Sequence, residues 1–262
     1  GINHRFTQLS GNALSRVVNA AASSATLTLD LEQNQTFAGQ LDNGGGGGLL
    51  NLTKSGPGRL TLTGTQSGFS GVVRIDDGVI DVRNMPFSGV VSSLGTGGNG
   101  AASRLILNGG ALSFSPTVQQ RTDRSFTLGA GPNGGTLVAN GANRAASVTM
   151  GVNFILFDEL VASDTIGFEG NGARLLTLSG VNTGLNTLAL QLGDKSAMEP
   201  TGLQKTGSGW WLLGKAADYS GQTSVLEGVL RLESNYAAGT SSVATTASFA
   251  ADTFTGNLLN GT

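Results

Sequence analysis

Short runs in which every second residue is apolar recur along the whole chain. Leu27-Thr28-Leu29-Asp30-Leu31, Leu60-Thr61-Leu62, Leu112-Ser113-Phe114, Leu176-Thr177-Leu178 and Leu230-Arg231-Leu232 are examples. In an extended strand successive side chains point to opposite sides, so each run predicts a strand with one buried and one polar face. Gly, Asn and Asp separate the runs, as at Asn108-Gly109-Gly110, and mark turns. One stretch has a helical stripe instead: Leu14, Val17, Val18 and Ala21 within Ala13 to Ala22. Ser and Asn interrupt it, so a short strand or an irregular cap competes with a helix there.

The runs are organised by an internal repeat. Leu52-Thr53-Lys54-Ser55-Gly56-Pro57-Gly58-Arg59-Leu60-Thr61-Leu62 aligns with Leu203-Gln204-Lys205-Thr206-Gly207-Ser208-Gly209-Trp210-Trp211-Leu212-Leu213. With one deletion, Gly68-Phe69-Ser70-Gly71 then matches Asp218-Tyr219-Ser220-Gly221, and Gly78 to Val82 matches Gly228 to Leu232. The glycines after each Lys suit a turn that needs positive φ. Leu60 and Leu62, or Trp211 and Leu213, would then face inward, the aromatic before Ser-Gly would pack at the next corner, and Asp77-Gly78 or Glu227-Gly228 would turn into another strand. A unit of this size cannot bury its apolar face alone and must stack on its neighbours, as in a solenoid.

Composition narrows the picture. The 262 residues include 42 Gly but only 5 Pro and no Cys, which excludes a disulfide framework and a thiolate metal site. Charged residues make up 12% and the net charge is −2, too little positive charge for nucleic-acid binding. No apolar run is long enough to form a transmembrane helix. At 39% hydrophobic with few charges, the chain can build an ordered core. It begins with Gly1 rather than Met, which suggests a processed or excised piece.

Leu52 to Val82 and Leu203 to Leu232 resemble the passenger-associated transport repeat of bacterial autotransporters: L-x-K-x-G-x-G-x-L-x-L, then aromatic-x-G, then G-x-L-x-V. Leu105-Ile106-Leu107-Asn108-Gly109-Gly110-Ala111-Leu112 is similar to the spacer coils between such repeats. The resemblance implies an all-β chain folded as a right-handed parallel β-helix (a β-solenoid), exported and either secreted or held at the bacterial cell surface. Two departures stand out: Trp210-Trp211 replaces a small residue and Leu, and the membrane barrel used for export is not in the chain. Three arrangements fit this: a barrel cleaved off, a segment of a much longer chain, or a fibre subunit that borrows the repeat. At roughly 20–25 residues per coil, about 10–13 coils are expected, with residues 1–24 as a cap or docking segment, 25–233 as the helix, and 234–262 as a last coil or second docking segment.

Candidate chemistry is sparse. Asp76, Asp77 and Asp81 could bind calcium or cleave sugars, but the second repeat has Leu226, Glu227 and Arg231 there, which favours a solvated turn with Asp81 pointing outward. Asp158 and Glu159 could serve as a general acid/base pair, or with Asp164 hold a metal, but the pair reads as an exposed corner after a strand. Gly44 to Gly48 lacks the Lys-Ser/Thr of a phosphate loop and reads as a flexible connection. His4 has no ligand partner in sequence. Asn34-Gln35-Thr36 and Asn51-Leu52-Thr53 fit the glycosylation pattern, read as incidental in a bacterial chain. Trp210 is the candidate surface contact, for a glycan, for a host surface, or for a neighbouring coil. The reading is a non-catalytic structural or adhesive scaffold with no cofactor or metal, able to self-associate through its coil ends. A polysaccharide-active or carbohydrate-binding β-helix is the alternative.

Overall fold

The computed structural model describes residues 1–97, 104–151, 165–233, 237–240 and 243–245. Every regular element among them is a strand, and every pairing between strands is parallel. The chain winds past three faces in turn. The first face is a seven-stranded sheet from His4–Phe6 to Gly167–Phe168, and the second a nine-stranded sheet from Gln35–Phe37 to Val243–Thr245. The third is a five-stranded sheet from Gln120–Thr122 to Val229–Leu232; in the first two coils a separate pair, Arg16–Val18 and Gln40–Asp42, holds its place in the winding.

This is the parallel β-helix expected from the sequence. Among the described residues the bridge Gly11–Phe37 adds one level to the nine strands of the second face. Coils differ more in length than the simple period predicts. Asn51 reaches Val72 across 21 residues, whereas Ser125 reaches Thr165 across 40. In this region the ladder between Gly131–Ala139 and Arg174–Gly180 shifts register between Gly131 and Gly135.

Alternation carries through to packing. Leu27, Leu52, Val73 and Leu105 stack in one inward column of the first face, and Leu60, Ile80, Leu112 and Leu137 do so on the second, all buried. Each such aliphatic side chain contributes about 1.5–3 kcal/mol by leaving water. Phe69 and Tyr219, the aromatics before Ser-Gly, are buried at their corners as expected. Asparagines knit adjacent coils: Asn34 Oδ1 accepts from the Arg59 N–H at 2.9 Å and Asn51 Oδ1 from the Val72 N–H at 2.8 Å.

The structure adds three points. The stripe from Ala13 to Ala22 follows the short-strand reading: it contains the strand Arg16–Val18, whose pairing to Gln40–Asp42 outweighs a weak helical preference. Gly44 to Gly48 is not a loose connection. Gly44 N–H donates to Asn19 O and Gly48 N–H to Ala21 O, and a Cβ at Gly46 or Gly48 would lie 2.3 Å from Ala20 O or 2.2 Å from Ser23 O. Glycine is required there by close approach of two backbones. Residues 1–24 form a first coil, with His4–Phe6 paired to the strand Ala25–Asp30; of 234–262, only 237–240 and 243–245 are described.

The packing predicts that Leu52→Ala lowers unfolding free energy by about 2–5 kcal/mol, read as a shift in the denaturant midpoint. A change under 1 kcal/mol would mean that the interior is not packed to normal protein density.

Candidate functional site

The two repeats build the same corner, but on different faces. In the first, the strand Leu50–Ser55 lies on the first face and Arg59–Leu62 on the second. In the second, Thr201–Lys205 lies on the second face and Trp210–Leu213 on the third. At each corner a lysine points into the interior. Lys54 sits in register between Leu29 and Ile75, and Lys205 between Leu178 and Val225, both fully buried.

The ammonium groups serve the turn. Lys54 Nζ donates to the carbonyls of Ser55 at 2.7 Å, Gly56 at 2.6 Å and Asp77, one coil on, at 3.4 Å. Lys205 Nζ repeats the pattern with Thr206, Gly207 and Glu227 at 2.6, 2.6 and 3.1 Å. The acidic-Gly turn closes over the site. Gly78 and Gly228 have φ of 64° and 73°, and a Cβ on either would press on the carbonyls of the corner below and on the lysine Nζ. Burial lowers both lysine pKa values, that of Lys205 to about 8. Arg124 plays the same part elsewhere, donating to Gly95 O at 2.9 Å and Val90 O at 3.3 Å; burial pushes it down to about 10. Sequence reasoning quoted both lysines in the motif without assigning them a role. The available signal was phase, since each lies two residues after an inward Leu.

The acidic candidates do not converge. Asp81 occupies the outward register expected of it but is buried, accepting from Ser115 Oγ at 2.6 Å with Arg59 Nη1 at 3.5 Å. It is therefore part of an internal pairing and not of a solvated turn. Asp76 accepts from Arg74 Nε at 2.6 Å and Asn108 Nδ2 at 2.9 Å, and Asp77 Oδ1 accepts from the Gly78 N–H. Among the described residues no group of three or more His, Asp or Glu could hold a metal ion. His4 stacks on Phe6 with ring centroids 6.0 Å apart. Asp158, Glu159 and Asp164 lie outside the described residues.

The tryptophan pair divides as alternation predicts. Trp211 is buried in an inward column between Asn186 and Leu230, its Nε1 donating to Ser179 O at 2.8 Å. Trp210 is half-buried on the outside of the third face, with the Arg144 guanidinium 5.5 Å from its ring centroid.

Stacked parallel faces joined by cation-filled corners define a β-helix of the kind built from transport repeats. Residues 52–82 and 203–232 each match the passenger-associated-transport-repeat model. The chain thus carries two repeats of bacterial autotransporter passengers, a class of exported protein that is secreted or displayed at the cell surface. It is 34% identical over 215 residues to the adhesin BmaC autotransporter of Brucella suis; the match covers 80% of this chain and 6% of that adhesin. No solved structure matches the chain.

Two outcomes test the corner. Lys205→Met leaves three carbonyls without their donor and should cost about 3 kcal/mol, seen as a lower denaturant midpoint. The pH dependence follows from the lowered pKa. In the unfolded chain Lys205 keeps its proton up to about 10.5, while in the fold it loses it near 8. Between these values the unfolded state binds more protons, so stability should rise with pH. The burial cost is felt fully below pH 8 and is relieved by 10.5. Midpoints measured across this window should climb in the parent chain and climb less in Lys205→Met; equal slopes would contradict a lowered Lys205 pKa.

Proposed function

We propose that the chain is a non-catalytic, adhesive stretch of a surface passenger, in which the β-helix holds contact side chains rigidly outward. The observation that carries this reading is the state of the described carboxylates. Asp76, Asp77 and Asp81, the candidates for sugar cleavage, are each tied to groups of the scaffold. The adhesin similarity supports the same reading. Beads coated with the chain should adhere to a cultured animal-cell monolayer above beads bearing an unrelated protein of equal charge. The chain should also leave a panel of plant and bacterial glycans uncleaved. Cleavage that falls on Asp76→Asn would replace this reading by an enzymatic one.

A further inference from the structure

The outward positions of the two repeats differ in a way that singles out one face. In the first repeat the outward residues Arg59 and Asp81 pair across adjacent strands at 3.5 Å. Their counterparts in the second repeat are Trp210 and Arg231, which cannot form an ion pair. Arg231 is exposed and no hydrogen bond or ion pair reaches its guanidinium among the described residues.

The same holds for two further arginines, Arg121 and Arg144. Arg121 is exposed in the strand Gln120–Thr122 of the third face, and Arg144 rises from the corner beside that face to lie over Trp210. The other eight arginines have partners within the chain. Five face carboxylates, as Arg5 faces Asp30 and Arg74 faces Glu169, and three, such as Arg124, donate to backbone carbonyls. All three uncommitted guanidinium groups therefore belong to one face. Its five strands contain no Asp or Glu, although the chain as a whole is net negative.

Apolar groups gather on the same side. The Trp210 N–H donates to Asn182 O at 3.0 Å, which sets Val181 and Leu185, 64% and 50% exposed, in the preceding coil at the same corner. Leu226, 47% exposed, occupies the corner of the next coil. Three successive coils thus display aliphatic side chains and a half-exposed indole, with cations but no anions on the adjoining strands. Tryptophan and arginine are the residue types that dominate protein contacts.

We propose that this corner and third face form the adhesive contact, and that its partner is a protein surface combining apolar side chains with carboxylates. The inference rests on the adhesive reading above and names the place and chemistry of the contact. Charge complementarity selects the acidic component. The aliphatic groups select protein over glycan: Val181, Leu185 and Leu226 gain by burial against apolar side chains, whereas sugar rings stack on aromatic faces, and Arg144 already lies over the one exposed indole. Three dispersed arginines also fall short of the dense cationic track that a polyanionic glycan requires.

The test uses chain-coated beads on a cell monolayer left intact, shaved with trypsin, or oxidised with periodate to destroy glycans. Trp210→Ser and Leu185→Ser should each lower adhesion about tenfold, the loss expected at a contact centre. Arg231→Gln should weaken the salt sensitivity of adhesion, and Ile2→Ser, at the far end, should change nothing. Unfolding midpoints confirm folding; if Trp210→Ser fails to fold, Leu185→Ser and Arg231→Gln, both exposed, decide the matter. Trypsin should abolish adhesion and periodate spare it. Full adhesion by Leu185→Ser and Arg231→Gln overturns the proposed face while leaving the adhesive reading intact. Loss with periodate alone overturns the protein partner in favour of a glycan. Failure of the unmodified chain to adhere removes the adhesive reading itself.

Discussion

Each corner of a β-helix turns the backbone sharply, and some of its carbonyls must then point into the interior. Buried carbonyls need donors, and water cannot reach these. The chain meets the demand with cations: Lys54 and Lys205 at the two repeat corners, Arg124 in a connection, and Arg174 at the start of the strand Arg174–Gly180. Charge-assisted hydrogen bonds to several carbonyls offset the cost of burying each charge. The rest of the repeat follows from this arrangement. Two glycines must follow the lysine so that the turn can wrap its ammonium group. A glycine must close the turn one coil later because any Cβ there would collide with the filled corner.

The motif accordingly specifies a corner and is indifferent to which faces it joins. The first copy turns from the first face to the second, the next from the second to the third. Inward positions are held apolar by the core, as Leu60 and Trp211 show, each buried in a column of its own face. Outward positions carry no such demand. There the first copy has a mutually satisfied Arg59–Asp81 pair and the second has Trp210 with Arg231.

Much of this was legible in the sequence. Alternation identified the inward residues, the paired repeats identified the solenoid, and phase alone separated Trp211 from Trp210. What escaped was set by contacts between coils. Lys54 and Lys205 lie in phase with buried leucines, but a charged residue is ordinarily assigned to the surface. Asp81 has the phase of a solvent-facing residue and is covered all the same, since Arg59 and Ser115 reach it from the coils on either side. Gly44 to Gly48 reads as a flexible tract until the backbone of the preceding coil is placed against it. The clustering of uncommitted arginines could not be read at all, because it depends on how the other eight are used.

A corner that fits between any two faces has a consequence for very long passengers. Inserting or removing one strand-and-corner step between repeats would swing everything beyond it by a third of a revolution about the axis, while the core columns stay in register. The compass bearing of an exposed patch is then set by how many corners precede it. A passenger built this way can point successive patches in different directions through changes in the connecting coils alone, with the patches themselves unaltered.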